Sequence, residues 1–263
     1  MFFGFWLNRS LIWQMLKRDI AQRYQGSIIG VAWSFITPLL MLLVYTFVFS
    51  VVFKARWEEN IQESKIDFAL LLFVGMIVFG VFSEMVNRAP SLILSNISYV
   101  KKVVFPLEIL TWICLGSVIF HSAVSVIVLL VLQLVNNFFL PWTVILFPLV
   151  LSPLFLWGIG FSWLISALAV YIRDIGQVTG VFTTILMFLS AIFYPVAALP
   201  EEFQFFIRAN PLAVTIEQSR KVLIYGQQPN WYELAAVFIV GFIVAWFGFW
   251  GFQKARKGFA DVL

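Results

Sequence analysis

Six stretches of the chain, 30–53, 68–86, 107–135, 143–171, 178–199 and 232–253, each hold about 20 or more mostly apolar residues, enough to cross a hydrocarbon core of about 30 Å as a helix. Their apolar positions do not alternate with period two, so helices rather than barrel strands satisfy the backbone. The pattern predicts an all-α membrane protein with six transmembrane helices. Two segments outside these stretches have helical periodicity of another kind. At 100° per residue, Phe5, Ile12, Trp13, Leu16, Ile20 and Tyr24 share one arc of a helix over 5–25, with Gln14, Arg18, Ala21, Gln22 and Gln25 opposite. That is an amphipathic interface helix, and charges follow its first apolar residues instead of preceding them as in a cleaved signal. Between the fifth and sixth spans, 198–230 predicts two short amphipathic helices, 200–209 opened by Pro-Glu-Glu and 212–225 after Asn210-Pro211. The chain divides accordingly into an interfacial helix, 1–29, and a transmembrane domain, 30–263.

Composition adds the class. Of 263 residues 62% are hydrophobic and only 11% charged, more apolar surface than a soluble core absorbs. Basic residues set the orientation. With both termini on one side, that side carries Arg9, Lys17, Arg18, Arg23, Arg88, Lys101, Lys102, Arg173, Lys254, Arg256 and Lys257, eleven against six on the other. Both termini are therefore expected in the cytoplasm. The connection 87–106 is then cytoplasmic, long enough for a helix of its own and closed by Pro106.

The ionisable groups exclude several functions. Only Glu84, Glu108, His121 and Glu233 fall in or at the edges of the spans, which leaves little for an ion-coupled transporter to use. One Cys (Cys114) and one His (His121) leave no disulfide framework and no His/Cys metal site. No Gly-rich phosphate loop of the G-x-x-x-x-G-K-[ST] type occurs, so ATP hydrolysis is expected in a separate chain. Gly158-Ile-Gly160 lies inside a span and reads as close helix packing. No catalytic constellation and no basic block for nucleic acid is present, and no cofactor is expected in this chain.

Aromatics are the remaining chemistry. Thirty Phe, eleven Trp and seven Tyr exceed what two interfacial belts require. Glycans present C–H faces that stack on rings, so Trp33, Phe35 and Tyr45 of the first span and Phe182, Phe188, Phe193 and Tyr194 of the fifth are candidate channel residues. Packing between helices or against lipid is the alternative for each. Thr179, Thr183, Thr184 and Ser190 add a hydroxyl-bearing stripe to the fifth span that suits a neutral, hydroxylated substrate.

Taken in order along the chain, Arg23-Tyr24, Ser27 to Trp33 with Pro38, Val104-Phe105-Pro106-Leu107-Glu108, Tyr171-Ile172-Arg173-Asp174, Ser190 to Pro195, and Asn210-Pro211-Leu212 with Glu217 and Arg220 resemble the membrane subunit of bacterial ABC-type polysaccharide exporters, the type-2 ABC permeases. One departure is Ala191, where many relatives have Pro. The resemblance implies a homodimer of this chain with two copies of an ABC ATPase that binds ATP and Mg, in the bacterial plasma (inner) membrane. It implies that the substrate is an undecaprenyl-pyrophosphate-linked polysaccharide such as O-antigen, capsule or a teichoic-acid-like polymer. The hairpin 198–230 would then be an external gate, and 87–106 a coupling helix on the ATPase through Asn87, Arg88, Leu92, Ile93, Asn96, Lys101 and Lys102. Arg9, Arg23 and Tyr24 are the candidate contacts to the incoming lipid pyrophosphate, with simple snorkelling of the two arginines as the alternative. Export of small amphipathic molecules or drugs on the same six-span plan is the rival function.

Overall fold

The computed structural model describes residues 2–48, 65–101 and 105–263, and among these it is all-helical, without strands. Two helices precede the first span: α1, Phe2–Leu7, and α2, Arg9–Tyr24. Between them the Asn8 amide donates to the Gly4 carbonyl at 2.9 Å. One face of α2 packs on the bundle. Ile12 is buried and Leu16 fills the notch left by Gly116, where a Cβ would stand 2.8 Å from a Leu16 methyl. Trp13 departs from the expected arc and is 58% exposed.

The spans follow the apolar runs, with two exceptions. Helix α3, Trp33–Tyr45, opens with a 3-10 turn at Gly30–Ala32 and continues to Val48, and the expected end of that span at 49–53 lies outside the described residues. Helix α4 is Lys65–Leu94, α6 is Ile109–Asn137, α7 is Phe147–Tyr171 and α11 is Trp231–Ala255. With α3, these account for five segments long and apolar enough to cross a membrane.

The fifth expected span, 178–199, is the first exception. Its helix, α8, is Ile175–Leu189, and the chain leaves it at Ser190, ten residues before the apolar run ends. Ala191 adopts φ +52° and Pro195 follows, so the helical hydrogen-bond pattern cannot continue. Fifteen residues of helix reach about 22 Å, short of a full hydrocarbon core. The second exception is 87–106. Its first eight residues extend α4 through Pro90 to Leu94 as one 30-residue helix, and only the short α5, Ile97–Lys101, stands apart. The continuation follows from burial: Met85, Val86, Ala89, Leu92 and Ile93 recur at helical spacing and all lie inside.

Helix α4 is the centre of the bundle. Of its apolar window 72% is buried, against 11% for the span containing α3 and 22% for that containing α11. Helices α7 and α11 make the tightest pair. Gly160 and Gly248 bring the two backbones into contact, and Gly241 accepts the Trp157 ring, whose Nε1 donates to the Val237 carbonyl at 3.2 Å. Gly158 faces Met85 of α4, so the glycines of this span are packing residues.

After α8 come α9, Glu201–Arg208, and α10, Pro211–Arg220, prolonged by a π-helical turn over Lys221–Tyr225. Asn210 caps α10, its side-chain oxygen accepting from the Leu212 N–H at 3.0 Å. Helix α9 is mostly exposed. By contrast α10 is inserted against α4 and α7, with Leu212, Ile216, Gln218, Ser219 and Arg220 buried. A final short helix, α12, is Phe259–Val262.

Candidate functional site

Polar groups gather in two places, at opposite ends of α4. At the α2 end, Glu84 and Arg88, one helical turn apart on α4, meet Asp19 and Arg23 of α2. Arg88 donates to both Asp19 oxygens, at 2.8 and 2.9 Å, and stands 3.8 Å from Glu84. Arg23 donates to Glu84 in turn. The four groups line a cleft with Gln22 and Asn87. Two guanidinium groups face two carboxylates, so the cleft is formally neutral, and an incoming anion competes with Glu84 for Arg23.

Glu84 also lines an adjoining cavity of about 260 Å³ between α3, α4 and α6, whose walls include Thr37, Tyr45, His121, Ser122 and Ser125. The Tyr24 hydroxyl lies 3.2 Å from His121 Nδ1. Burial raises the Tyr24 phenol above its ordinary pKa, with Arg23 opposing more weakly. His121 is thus tied to a neighbouring helix.

The residues expected to meet a lipid pyrophosphate are not brought together. Arg9 and Arg23 are exposed but lie about 21 Å apart along α2, and Tyr24 turns inward to His121. The structure instead sets Arg23 beside Arg88. Among the expected coupling residues, Leu92 (8% exposed) and Ile93 (1%) belong to the protein's own core. Arg88 is committed to Asp19, and Asn96 donates to the Leu92 carbonyl at 2.9 Å, closing the end of α4. Asn87, Ser91, Ser95, Ile97, Ser98 and Lys101 remain on the surface, and Lys102 lies outside the described residues.

The expected channel aromatics form two groups, one on α3 and one on α8 with the turn after it, and both helices pack on α4. Trp33, Phe35, Phe182 and Phe188 are exposed at 37–56%, while Tyr45, Phe193 and Tyr194 are half-buried. Phe188 and Phe193 pack with their rings tilted at 40° and 5.9 Å between centroids, and the Tyr194 hydroxyl donates to the Phe188 carbonyl at 2.7 Å. Most of the hydroxyl stripe of α8 is turned inward. Thr179, Thr183 and Ser190 are buried, and each donates to a carbonyl of its own helix, the usual resort of a hydroxyl where water is absent. Thr184 alone of the four is exposed.

At the other end, the α9–α10 hairpin borders a cleft of about 690 Å³ lined by Arg208, Glu217, Lys221, Gln227 and Glu233 over an apolar floor that includes Pro195 and Ile207. Gln218, fully buried, holds Glu233 at 2.6 Å and accepts from the Asn230 N–H at 2.8 Å. Beside it the Arg220 guanidinium donates to the carbonyls of Leu71, Ala191 and Ile192 at 3.1, 3.0 and 2.8 Å. Sequence reading singled out Arg220 and Ala191 separately, with no signal that they touch. Nor did it pair Glu108 with Arg256, which meet at 2.9 Å.

This is a multi-pass membrane protein built around one buried helix, with a polar cluster near each end of that helix. Residues 10–224 match the family model of the ABC-2 type transporter, and the chain belongs to that family. It is 25% identical over 255 residues to the O-antigen export system permease protein RfbA of Myxococcus xanthus, covering 96% of this chain and 95% of that protein. Its identity to the protein of the same name from Klebsiella pneumoniae is 25% over 251 residues, covering 94% and 92%. To the polysialic acid transport protein KpsM of Escherichia coli it is 21% over 224 residues, covering 85% and 84%.

Proposed function

We propose that this chain is the channel-forming permease subunit of an ATP-driven exporter that moves a lipid-linked polysaccharide out across the plasma membrane. The observation that carries this reading is the end-to-end similarity to O-antigen export permeases, with no large part of either chain left over. Two copies of the chain work with two copies of a separate ATPase, and both termini face the cytoplasm. Helix α8 and the turn and hairpin after it complete the sixth crossing, and the hairpin gates the outer end.

The geometry supports this arrangement in three ways. Helices α3 and α8 carry exposed rings of the kind a sliding sugar chain stacks on, and α3 is the least covered long helix, as expected of a face turned to a second copy. At the α2 end, Arg23 and Arg88 are within reach of a pyrophosphate that competes with Glu84 and Asp19 for them. The surface of Asn87, Ser91, Ser95 and Lys101 is open to the ATPase.

The test is deletion of the gene with long-chain polysaccharide measured at the cell surface and inside the cell. Loss outside, with lipid-linked polymer accumulating inside, is the expected result. Unchanged surface polymer would sink the reading and bring forward export of small amphipathic molecules.

A further inference from the structure

Arg220 is a charged residue only 5% exposed, among buried residues that are otherwise apolar or uncharged. Burying a guanidinium is costly unless its donors are met. Here the fork lies across two successive carbonyls, Ala191 and Ile192, while Nε reaches the Leu71 carbonyl on α4. Three local features make the arrangement possible. Ala191, at φ +52°, breaks the helix and leaves its carbonyl and the next one outside any helical ladder. A helix carbonyl such as that of Leu71 retains a second lone pair for an outside donor. Gly75, one turn along α4, clears the space: a Cβ there would stand 3.1 Å from Arg220 Nη2 and 3.2 Å from Ile192 Cγ2.

Helix α4 runs without proline from Leu71 to Arg88, seventeen residues on, or about 26 Å. Arg88 is fastened to Asp19 of α2. One rigid helix thus has a polar fastener at each end. One holds the interface helix beside the ATPase-facing surface, the other the break after α8 and the hairpin.

We propose that Arg220 is the positioning residue of the outer gate, locking the turn after α8 and helix α10 onto α4 so that they move with it when the other end of α4 is displaced. The proposal rests on the functional reading above for the meaning of the displacement. Lys cannot replace Arg, because an ammonium has no fork to span two carbonyls and is more strongly hydrated.

The experiment uses Arg220→Lys, Arg220→Gln and Gly75→Ala in the full transporter assembled with its ATPase. Surface polysaccharide, ATP hydrolysis and amide hydrogen exchange are measured for each. Both Arg220 variants are expected to lose about tenfold or more in export while hydrolysis stays within about twofold. Exchange over 190–199 rises about tenfold, the equivalent of one local bond network opening, with α7 and α11 unchanged. Gly75→Ala, which keeps the guanidinium but crowds it, falls between these and the unsubstituted chain. Normal export by Arg220→Lys overturns the proposal. So does a loss of hydrolysis in step with export, or faster exchange throughout the bundle, since either makes Arg220 a general stabiliser. If the unsubstituted chain exports no polysaccharide, the functional reading fails instead. The clamp then still stands or falls on whether Arg220→Lys accelerates exchange at 190–199 alone.

Discussion

Gly248 of α11 lies directly on the backbone of Gly160 of α7, and a Cβ on Gly248 would clash with the Gly160 carbonyl oxygen and stand 2.8 Å from the Gly160 Cα. Neither neighbour is a flexible side chain that yields, so the contact tolerates no substituent on either side. Replacing Gly248 by Ala is expected to cost about 1–3 kcal/mol through forced separation of the two helices. The loss appears as a lower unfolding temperature in detergent. Gly180→Ala is the control, because nothing lies within 4 Å of its Cβ position, and it should lose no stability.

Glu108 and Arg256 join the start of α6 to the end of α11 across 148 residues. The Arg256 side chain is 34% exposed, so screening limits the pair. A double-mutant cycle of Glu108→Gln and Arg256→Gln is expected to return a coupling on the order of 1 kcal/mol, shrinking at high salt. Strict additivity of the two single changes would show that the ion pair contributes nothing.

The neutral cleft at the α2 end makes a directional prediction about anions. Glu84→Gln releases Arg23 and Arg88 from a shared carboxylate and leaves the cleft positive. Binding of a fluorescent polyprenyl-pyrophosphate to the purified protein is expected to tighten about tenfold at low salt and to revert in 1 M salt. Arg9→Gln, some 21 Å away along α2, should leave binding unchanged. Equal weakening by Arg9→Gln and Arg23→Gln would instead support the wider contact surface expected from sequence.

Thr179→Val tests whether the buried hydroxyls of α8 touch substrate. The Thr179 hydroxyl donates to the Gly176 carbonyl of its own helix at 2.9 Å, and its removal leaves no polar partner stranded. Surface polysaccharide is expected to stay within about twofold of the unsubstituted level. A drop of tenfold would place this face in the channel.

The apolar runs of the chain carried most of the architecture. Among the described residues the long runs, 190–199 apart, became helices because a backbone in hydrocarbon must bond within its own segment, and that rule needs no knowledge of neighbours. The two short helices of the hairpin were legible for a similar local reason, through the caps at Pro200 and Asn210. Sequence also determined which residues are ionisable and scarce, and so which reaction classes to set aside.

Where runs end and what they face was decided elsewhere. Residues 190–199 continue the apolar run, yet the chain leaves the helix at Ala191, and Arg220, far along the chain, takes the carbonyls that Ala191 and Ile192 then present. Leu92 and Ile93 look like a docking face in isolation and become core, because α4 runs on past Arg88 among partners that cover them. Arg23 and Tyr24 are neighbours in sequence but part company, one to Glu84 and one to His121, since successive positions on a helix point 100° apart. Local periodicity determines that a helix forms and which residues share its face. The partner of each face is chosen only when all the helices compete for the same buried volume.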